Sequence, residues 1–239
     1  MELTKKLEAQ IARWNEELKD KSPIGVIGFF LQYFGDQIIL STSLGLEDQV
    51  LTEMVLRQRR NTEIFTLDTG RLFPETYDLI ARTNKFFGIR MQTFFPEPER
   101  VEKMVAENGI NLFYDSVEKR KLCCSIRKVA QLPRAFKGKQ AWICGLRKDQ
   151  SVSRFFNKLV EWDDNNGLIK INPLINWTEK QVWDYIKRNS IPYNLLHDRG
   201  FPSIGCEPCT RAIEPGEDIR AGRWWWENEL HKECGLHKK

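Results

Sequence analysis

The sequence lacks any apolar run long enough to cross a bilayer. The longest run, at residues 24–31, falls far short of the roughly 20 residues that a membrane-spanning helix needs. Residues 1–6 also lack the apolar segment of a secretory signal peptide. We therefore expect a cytoplasmic protein with no membrane partner.

A strong excess of charge is also missing. The 37 Lys and Arg residues nearly balance 33 Asp and Glu, which leaves a net charge of +4. That is too mild for a dedicated nucleic-acid binder, although it allows a local basic pocket for a small anion. With 239 residues, 41% of them hydrophobic, the chain is long enough for one domain with a sizeable core.

Four of the six cysteines stand in two close pairs, Cys123-Cys124 and Cys206-Glu207-Pro208-Cys209. Disulfides are rare in the cytosol, where such pairs more often indicate metal or redox chemistry. Adjacent cysteines crowd a single ion that is also bound by a distant pair, but each can hold a different iron of a cluster. Four thiolates per [4Fe–4S] cluster is the common count. A four-thiolate structural zinc and two unrelated buried pairs remain as alternatives.

The other two cysteines differ in their surroundings. Cys144 lies within an apolar run and is predicted to be a core residue. Cys234 lies in a polar C-terminal segment that can bury little, so we expect a mobile tail whose thiol is a reactant. Lys232 and His237 stand close to it in sequence, and nearby cations favour the reactive thiolate.

Three polar turns follow predicted strands at residues 37–40, 63–67 and 140–144. Ligands of open α/β sheets bind at the carboxyl ends of the strands, and a turn that opens a helix accepts phosphate on its free N–H groups. The candidate ligand residues in these turns are Ser41, Thr42, Ser43, Gly45, Asp68, Thr69, Gly70, Arg71, Gly145 and Arg147. The first turn lacks the G-K-[ST] of a Walker loop.

Helical patterns separate these strands. Periodicity and capping residues predict helices at residues 3–18, 23–34, 74–87 and 98–107, and a capping box opens another at Thr178. A helix carrying the Cys123-Cys124 pair is predicted to run to Gln131. Further strands are expected at residues 89–94 and in a hairpin over residues 160–171. This alternation predicts an α/β fold with a mainly parallel twisted sheet and helices on both faces.

Several motifs occur together and in order. They are Leu67-Asp68-Thr69-Gly70-Arg71, Cys123-Cys124-Ser125-Ile126-Arg127-Lys128, Ile143-Cys144-Gly145-Leu146-Arg147 and Glu233-Cys234-Gly235-Leu236-His237. From about Leu40 to its end, the chain resembles the assimilatory adenylylsulfate (APS) and phosphoadenylylsulfate (PAPS) reductases. The four paired cysteines resemble the iron–sulfur branch, which reduces APS.

The resemblance implies a fold like that of the adenine nucleotide alpha hydrolases, with a reductase domain at residues 1–219 and a catalytic tail at residues 220–239. It implies one [4Fe–4S] cluster on Cys123, Cys124, Cys206 and Cys209, with Cys234 as the nucleophile. Its sulfate- and phosphate-contacting residues match Lys128, Arg147, Arg220, Arg223 and His237. The implied reductant is thioredoxin or glutaredoxin, and a homo-oligomer is expected.

Three other functions stay open. The same chemistry on PAPS needs further basic contacts that one sequence does not assign. A nucleotide-binding or tRNA-modifying protein with structural zinc would share the sheet but would not need Cys234. A thioredoxin-binding redox sensor would keep a reactive Cys234 without releasing AMP.

Overall fold

The structure is a computed structural model that describes residues 3–150 and 154–227. The chain forms two compact units. The first comprises Met1–Thr66, Asp78–Gln92 and Phe136–Asn194, and the second comprises Leu67–Tyr77, Thr93–Ala135 and Leu195–Lys239. The predicted boundary at residue 219 stays a prediction, and the predicted site residues Cys234 and His237 lie outside the described residues.

A six-stranded sheet runs in the order β3-β2-β1-β4-β6-β5. Its strands are β1 Ile38–Thr42, β2 Ile64–Leu67, β3 Gln92–Phe94, β4 Ala141–Ile143, β5 Val160–Asp163 and β6 Leu168–Ile171. Strand β1 is parallel to β2 and β4, β4 is parallel to β6, and only the β5–β6 hairpin is antiparallel among the pairs with a resolved register. The predicted α/β fold with a mainly parallel sheet is confirmed.

The α-helices connect and flank these strands. They are α1 Lys5–Leu18, α2 Pro23–Phe34, α3 Leu46–Gln58, α4 Pro74–Phe87, α5 Pro98–Asn108, α6 Val117–Arg127, α7 Leu132–Ala135 and α8 Glu179–Arg188. The predicted caps are present. Ser22 accepts a hydrogen bond from Gly25 N at 3.2 Å, and Thr178 and Gln181 form both halves of a capping box. Gly35 ends α2 with a φ of 55°, a conformation that favours glycine.

Burial in the core of the first unit explains why the strand sequences are apolar. Ile38, Ile39 and Leu40 of β1 are at most 1% exposed, and all of β6 is buried. Strands covered on both faces read as continuous apolar runs rather than as alternating patterns. Helices α1 and α2 add an aromatic contact to this core, since the rings of Trp14 and Phe30 pack edge to face at 5.3 Å.

Strand β5 ends the sheet, and a side chain from α1 covers part of its outer edge. Asn15 Nδ2 donates to Val160 O at 2.8 Å, and Val160 N donates to Asn15 Oδ1 at 3.1 Å. The same Nδ2 also donates to Ile11 O, one turn earlier in α1, at 2.9 Å. The Asn15 amide thus pairs with both backbone groups of one residue, as a neighbouring strand would.

The helix that carries the first cysteine pair is shorter than predicted. It ends at Arg127 instead of Gln131, because the backbone of Lys128 leaves the helical region at φ −133° and ψ −63°. Residues 129–131 form a short 3-10 turn. Gln131 Nε2 donates to Ile126 O at 3.0 Å, which satisfies a carbonyl that the interrupted helix leaves without its usual partner.

The third strand also begins later than predicted. Asn84 at the end of α4 accounts for this difference, because Ile89 N donates to Asn84 O and Met91 N donates to Asn84 Oδ1, both at 3.0 Å. These bonds hold residues 89–91 in a turn before β3 begins at Gln92.

We expect Ile186→Ala to lower the free energy of unfolding by about 2–5 kcal/mol, because it leaves a cavity at a side chain that is 1% exposed. The exposed Arg188→Ala on the same helix is the control and should change stability by no more than about 0.5 kcal/mol. Urea denaturation followed by circular dichroism measures both. Equal changes in the free energy of unfolding would contradict the assignment of the Ile186 face of α8 to the core.

Candidate functional site

The polar turn after β1 is organised by a carboxylate from the first turn of α3. Asp48 Oδ2 accepts from Ser43 N at 2.6 Å and from Ser43 Oγ at 2.7 Å. Leu44 N donates to the buried Thr42 Oγ1 at 2.9 Å, and Leu44 itself has a φ of 63°, which is uncommon for a residue with a side chain. Three hydrogen bonds that involve side chains therefore maintain a strained turn at the carboxyl end of the central strand β1.

Asp48 shapes a candidate ligand turn but was not among the residues selected from the sequence. Burial raises the pKa of its carboxyl to about 6, although the two bonds from Ser43 oppose that rise. The available signal was an acidic pair, Glu47-Asp48, in the first turn of α3. Acidic residues are common in the first turn of any helix, so this pair did not stand out.

Gly145 and Arg147, which follow β4, lie beside the same acidic pair. A Cβ atom on Gly145 would lie 2.4 Å from Asp48 Oδ1 and 2.9 Å from Glu47 Cβ, so this close approach requires glycine. Arg147 is 3% exposed, and its Nε donates to Glu47 Oε1 at 2.7 Å. In the first unit, the turn after β1 and the turn after β4 thus form one cluster of polar groups.

Cys144 is confirmed as a core residue. Its side chain is 3% exposed, and its Sγ donates to Asn172 Oδ1 at 2.9 Å. Burial raises the pKa of this thiol to about 12, so it stays protonated at neutral pH.

The turn after β2 belongs to the second unit. Asp68 Oδ1 accepts from Gly70 N at 2.7 Å and from the Tyr77 hydroxyl at 2.9 Å. Burial and the Asp68 carboxylate raise the pKa of Tyr77 to about 12, so the phenol remains a donor. Arg71 donates to Ile110 O at 3.0 Å and to Asn111 Oδ1 at 2.9 Å.

The two cysteine pairs meet in the second unit. Cys123, Cys124, Cys206 and Cys209 line one cavity of about 30 Å³. It is also lined by Thr69, Arg71, Phe113, Arg120, Arg127, Lys128 and Pro208. The structure thus brings together four cysteines and three other residues that the sequence analysis selected, namely Thr69, Arg71 and Lys128.

Short contacts hold the second pair beside the turn after β2. Leu72 and Cys206 form an isolated antiparallel bridge, and Glu207 N donates to Arg71 O at 2.8 Å. Thr69 Oγ1 lies 3.2 Å from Cys206 Sγ, within hydrogen-bonding distance of a sulfur. The position of this pair therefore depends on the residues that follow β2.

Two of the four cysteines of this cavity, Cys123 and Cys209, are buried, whereas Cys124 and Cys206 are half-buried. Burial raises the pKa of Cys123, and the Arg127 guanidinium opposes part of that rise. Burial also raises the pKa of Cys209, and the neighbouring Cys206 raises it further. Over residues 3–150 and 154–227, no group of three or more His, Cys, Asp and Glu side chains has an arrangement that could hold a single metal ion.

Two buried guanidinium groups line the cavity and were not predicted as site residues. Arg127 is 8% exposed, and its Nη1 donates to Thr69 O at 2.9 Å. Arg120 is 1% exposed. In sequence these are ordinary helix cations, because nothing local distinguishes a buried arginine from an exposed one on a helix with several basic residues.

Of the predicted basic residues near the C-terminus, Arg220 and Arg223 are half-buried in the second unit. The Arg223 guanidinium lies 4.6 Å over the Trp224 ring, and a Cβ atom on Gly205 would meet it at 2.3 Å. Trp224 is 2% exposed, which confirms that the tryptophan segment docks onto the body of its unit.

The fold is an open α/β sheet, and the polar turns follow the carboxyl ends of its parallel strands, as in nucleotide-binding proteins of this class. The described helices include none that is both long and apolar enough to pass through a membrane. A family model described as the phosphoadenosine phosphosulfate reductase domain matches residues 37–212. The chain belongs to this family.

Curated relatives and a solved structure agree with this assignment. The chain is 52% identical to the adenosine 5′-phosphosulfate reductase of Allochromatium vinosum over 85% of this chain and 80% of that protein. It is 46% identical to the enzyme of the same name from Sinorhizobium fredii over 98% of this chain and 93% of that protein. The phosphoadenylyl-sulfate reductase of Candida auris, solved with phosphate, superposes with a TM-score of 0.74 at 29% identity and covers 89% of this chain and 99% of its own.

We expect Asp48→Asn to gain stability relative to the wild type as the pH rises. The folded-state pKa of about 6 lies above the ordinary 3.8, so the contribution of Asp48 is fully present below pH 3.8 and is lost as the pH rises through 6. The amide of the variant does not ionise, so the variant does not undergo this loss of stability, which amounts to at most about 3 kcal/mol. Urea denaturation at several values between about pH 4 and pH 8 measures the difference. A difference that does not change with pH would contradict the raised pKa.

Proposed function

We propose that this chain reduces adenosine 5′-phosphosulfate to sulfite and AMP, as a cytoplasmic enzyme of sulfate assimilation. The observation that carries the proposal is the set of four cysteines around one cavity, in a chain that is 52% identical to a protein named adenosine 5′-phosphosulfate reductase. Such a reductase is an oxidoreductase that acts on a sulfur group.

Cys123, Cys124, Cys206 and Cys209 are the residues that would hold a [4Fe–4S] cluster. Their side chains fit this role because they come from two separate segments and line the same cavity. Thiolates are the usual ligands of such clusters, and the buried Arg120 and Arg127 supply positive charge beside them. When bound, the cluster would tune the charge at the sulfate site.

Lys128 lies where the cysteine-bearing helix ends and lines the same cavity. Lysine acts on an anion as a point charge. Arg220 and Arg223 are half-buried, and arginine forms bidentate contacts with oxyanions. We assign the binding of the substrate's sulfate and phosphate oxygens to these residues, with Arg147 and His237. Their positive charge offsets the repulsion between an attacking thiolate and an anionic substrate.

The first chemical step is an attack by the Cys234 thiolate on the sulfur of the substrate. A sulfur–sulfur bond forms, the bond between that sulfur and the bridging phosphate oxygen breaks, and AMP leaves with the electron pair. The product on the protein is an S-sulfocysteine at Cys234. Covalent catalysis of this kind divides one difficult displacement into two easier ones.

The second step requires an external dithiol, for which we propose thioredoxin or glutaredoxin. A thiolate of that protein attacks Cys234 Sγ, and sulfite leaves with the electron pair of the broken sulfur–sulfur bond. The second thiol of the reductant then resolves the mixed disulfide and releases the Cys234 thiol. The two electrons of the reduction thus come from the dithiol, which is oxidised to a disulfide. We also propose that the enzyme is a homo-oligomer.

A second candidate is the same chemistry on PAPS. The family description and the Candida auris structure, which is similar at 29% identity, carry that substrate in their names. The higher identity to proteins named for APS favours the first candidate. Initial rates of sulfite release on the two nucleotides decide between them, since only a PAPS reductase would prefer the 3′-phosphorylated nucleotide.

We expect anaerobic incubation with APS, without reductant, to add one SO₃ group to the protein. Intact mass spectrometry measures this adduct, and reduced thioredoxin should remove it. Cys234→Ser should form no adduct while retaining nucleotide binding and visible colour, because its role is nucleophilic. Cys144→Ser is the control and should form the adduct normally, since its buried thiol is already bound to Asn172. An adduct on Cys234→Ser would contradict the assignment of the nucleophile.

We expect Cys206→Ser to lose both the cluster and activity, because it removes one of four ligands and an anchor beside Thr69. Visible absorbance and iron and zinc analysis of the purified protein measure the metal, and sulfite release measures activity. Cys144→Ser, which is equally conservative but lies outside the cavity lining, should keep its colour. A colourless wild type that contains zinc would support the zinc-containing nucleotide-binding alternative. A colourless but active Cys206→Ser would refute a catalytic role for the four cysteines.

A further inference from the structure

One buried ion pair fastens the end of the described chain to the cysteine-bearing helix α6. Arg120 Nε donates to Glu227 Oε1 at 2.8 Å, and Arg120 Nη2 donates to Glu227 Oε2 at 2.6 Å. The two side chains are only 1% and 2% exposed. This is a two-bond contact between a planar guanidinium and a carboxylate, which fixes direction as well as distance.

A tryptophan restricts the pair further. The Arg120 guanidinium lies 4.6 Å over the Trp224 ring, and Trp224 is itself 2% exposed. Glu227 N donates to Trp224 O at 2.8 Å, so the acidic partner and the ring belong to the same turn. One face of the guanidinium therefore rests on the aromatic ring while its edge binds the carboxylate. Lysine could supply the charge at this position but not this geometry.

A buried ion pair of this kind is not an effective way to stabilise the fold. Both charges lose their hydration, and well-packed apolar residues of similar volume often serve as well or better. The C-terminal turn already has apolar anchors, since Trp226 packs against Phe113 and Tyr114. The pair therefore points to a need for a defined position of this turn.

Each residue of the pair is close in sequence to a cysteine of the candidate site. Arg120 lines the cysteine cavity and precedes Cys123 by three residues in the sequence. Glu227 precedes Cys234 by seven residues in the sequence. Seven residues span at most about 25 Å, so the point at which Glu227 is held limits the volume that the Cys234 thiol can reach.

We infer that Arg120 and Glu227 are positioning residues for the Cys234 nucleophile. Their pair fixes the starting point of the C-terminal segment on the helix that carries Cys123 and Cys124. It thereby raises the local concentration of the Cys234 thiolate at the substrate's sulfur. This inference rests on the proposed function, because it concerns the rate of the first chemical step.

A second ion pair in the same unit provides a matched control. Arg211 Nη1 donates to Glu217 Oε2 and Arg211 Nη2 donates to Glu217 Oε1, both at 2.8 Å. Its side chains are 37% and 33% exposed, and neither residue lines the cysteine cavity. Glu217→Gln thus makes the same chemical change in a bidentate pair that the inference does not involve.

The experiment compares Glu227→Gln, Glu217→Gln and the wild type in single turnover with APS and no reductant, under anaerobic conditions. Quenched samples give the rate of SO₃ addition by intact mass, equilibrium binding gives the Kd for AMP, and visible absorbance gives cluster content. We expect Glu227→Gln to slow adduct formation by about 10- to 100-fold, because a misplaced nucleophile loses effective concentration. The Kd for AMP and the visible absorbance should stay as in the wild type, and Glu217→Gln should match the wild type throughout.

Arg120→Lys keeps the charge and loses the two-bond geometry, so it decides the question if Glu227→Gln does not fold. It should slow adduct formation while AMP binding and absorbance are retained. An unchanged rate in the folded variants would overturn the inference and leave the proposed function intact. Parallel losses of rate, AMP binding and colour would also overturn it, because they indicate a merely structural pair. A wild type that forms no adduct would overturn the proposed function and, with it, this inference.

Discussion

The structure of the second unit depends on one constraint, which is that charged and acidic groups are buried around the cysteine cavity. Arg127 is held by the carbonyl of Thr69, Arg120 is held by the Glu227 carboxylate, and burial raises the pKa of the Cys123 and Cys209 thiols. Each such group costs free energy unless a partner compensates for its lost hydration. The positions of the turn after β2, of α6 and of the C-terminal turn are therefore set together.

The turns after β1 and β2 are stabilised in the same way, although they lie in different units. In each, a buried carboxylate accepts hydrogen bonds from the turn itself: Asp48 from Ser43, and Asp68 from Gly70 and Tyr77. The bonds shape the turn, but the negative charge also opposes an anionic ligand nearby. In the first unit, Arg147, which is paired with Glu47, offsets this opposition. The candidate ligand turns of that unit thus carry charges of both signs instead of being simply basic.

Local signals made much of the fold predictable. Ser22, Pro23 and Gly35 mark both ends of α2, and Thr178 and Gln181 mark the start of α8, because caps act within one turn of the chain. The cysteine pairs were also readable as one group. The partners of buried groups were not, since Arg120 and Glu227 are 107 residues apart in sequence and only folding brings them together. The early end of α6 at Arg127 was not predicted either, because neither Gly nor Pro marks the point at which the backbone of Lys128 leaves the helical region.

The Asn15 amide at the outer edge of β5 bears on how copies of this chain can associate. Exposed edge strands are templates on which another chain can extend a sheet. Here Asn15 engages the N–H and the carbonyl of Val160, and its own helix orients the amide through Ile11 O. A second copy that added a strand at β5 would have to displace this amide from both backbone groups of Val160. A single side chain thus occupies, at Val160, the backbone groups that a further strand at this edge would need.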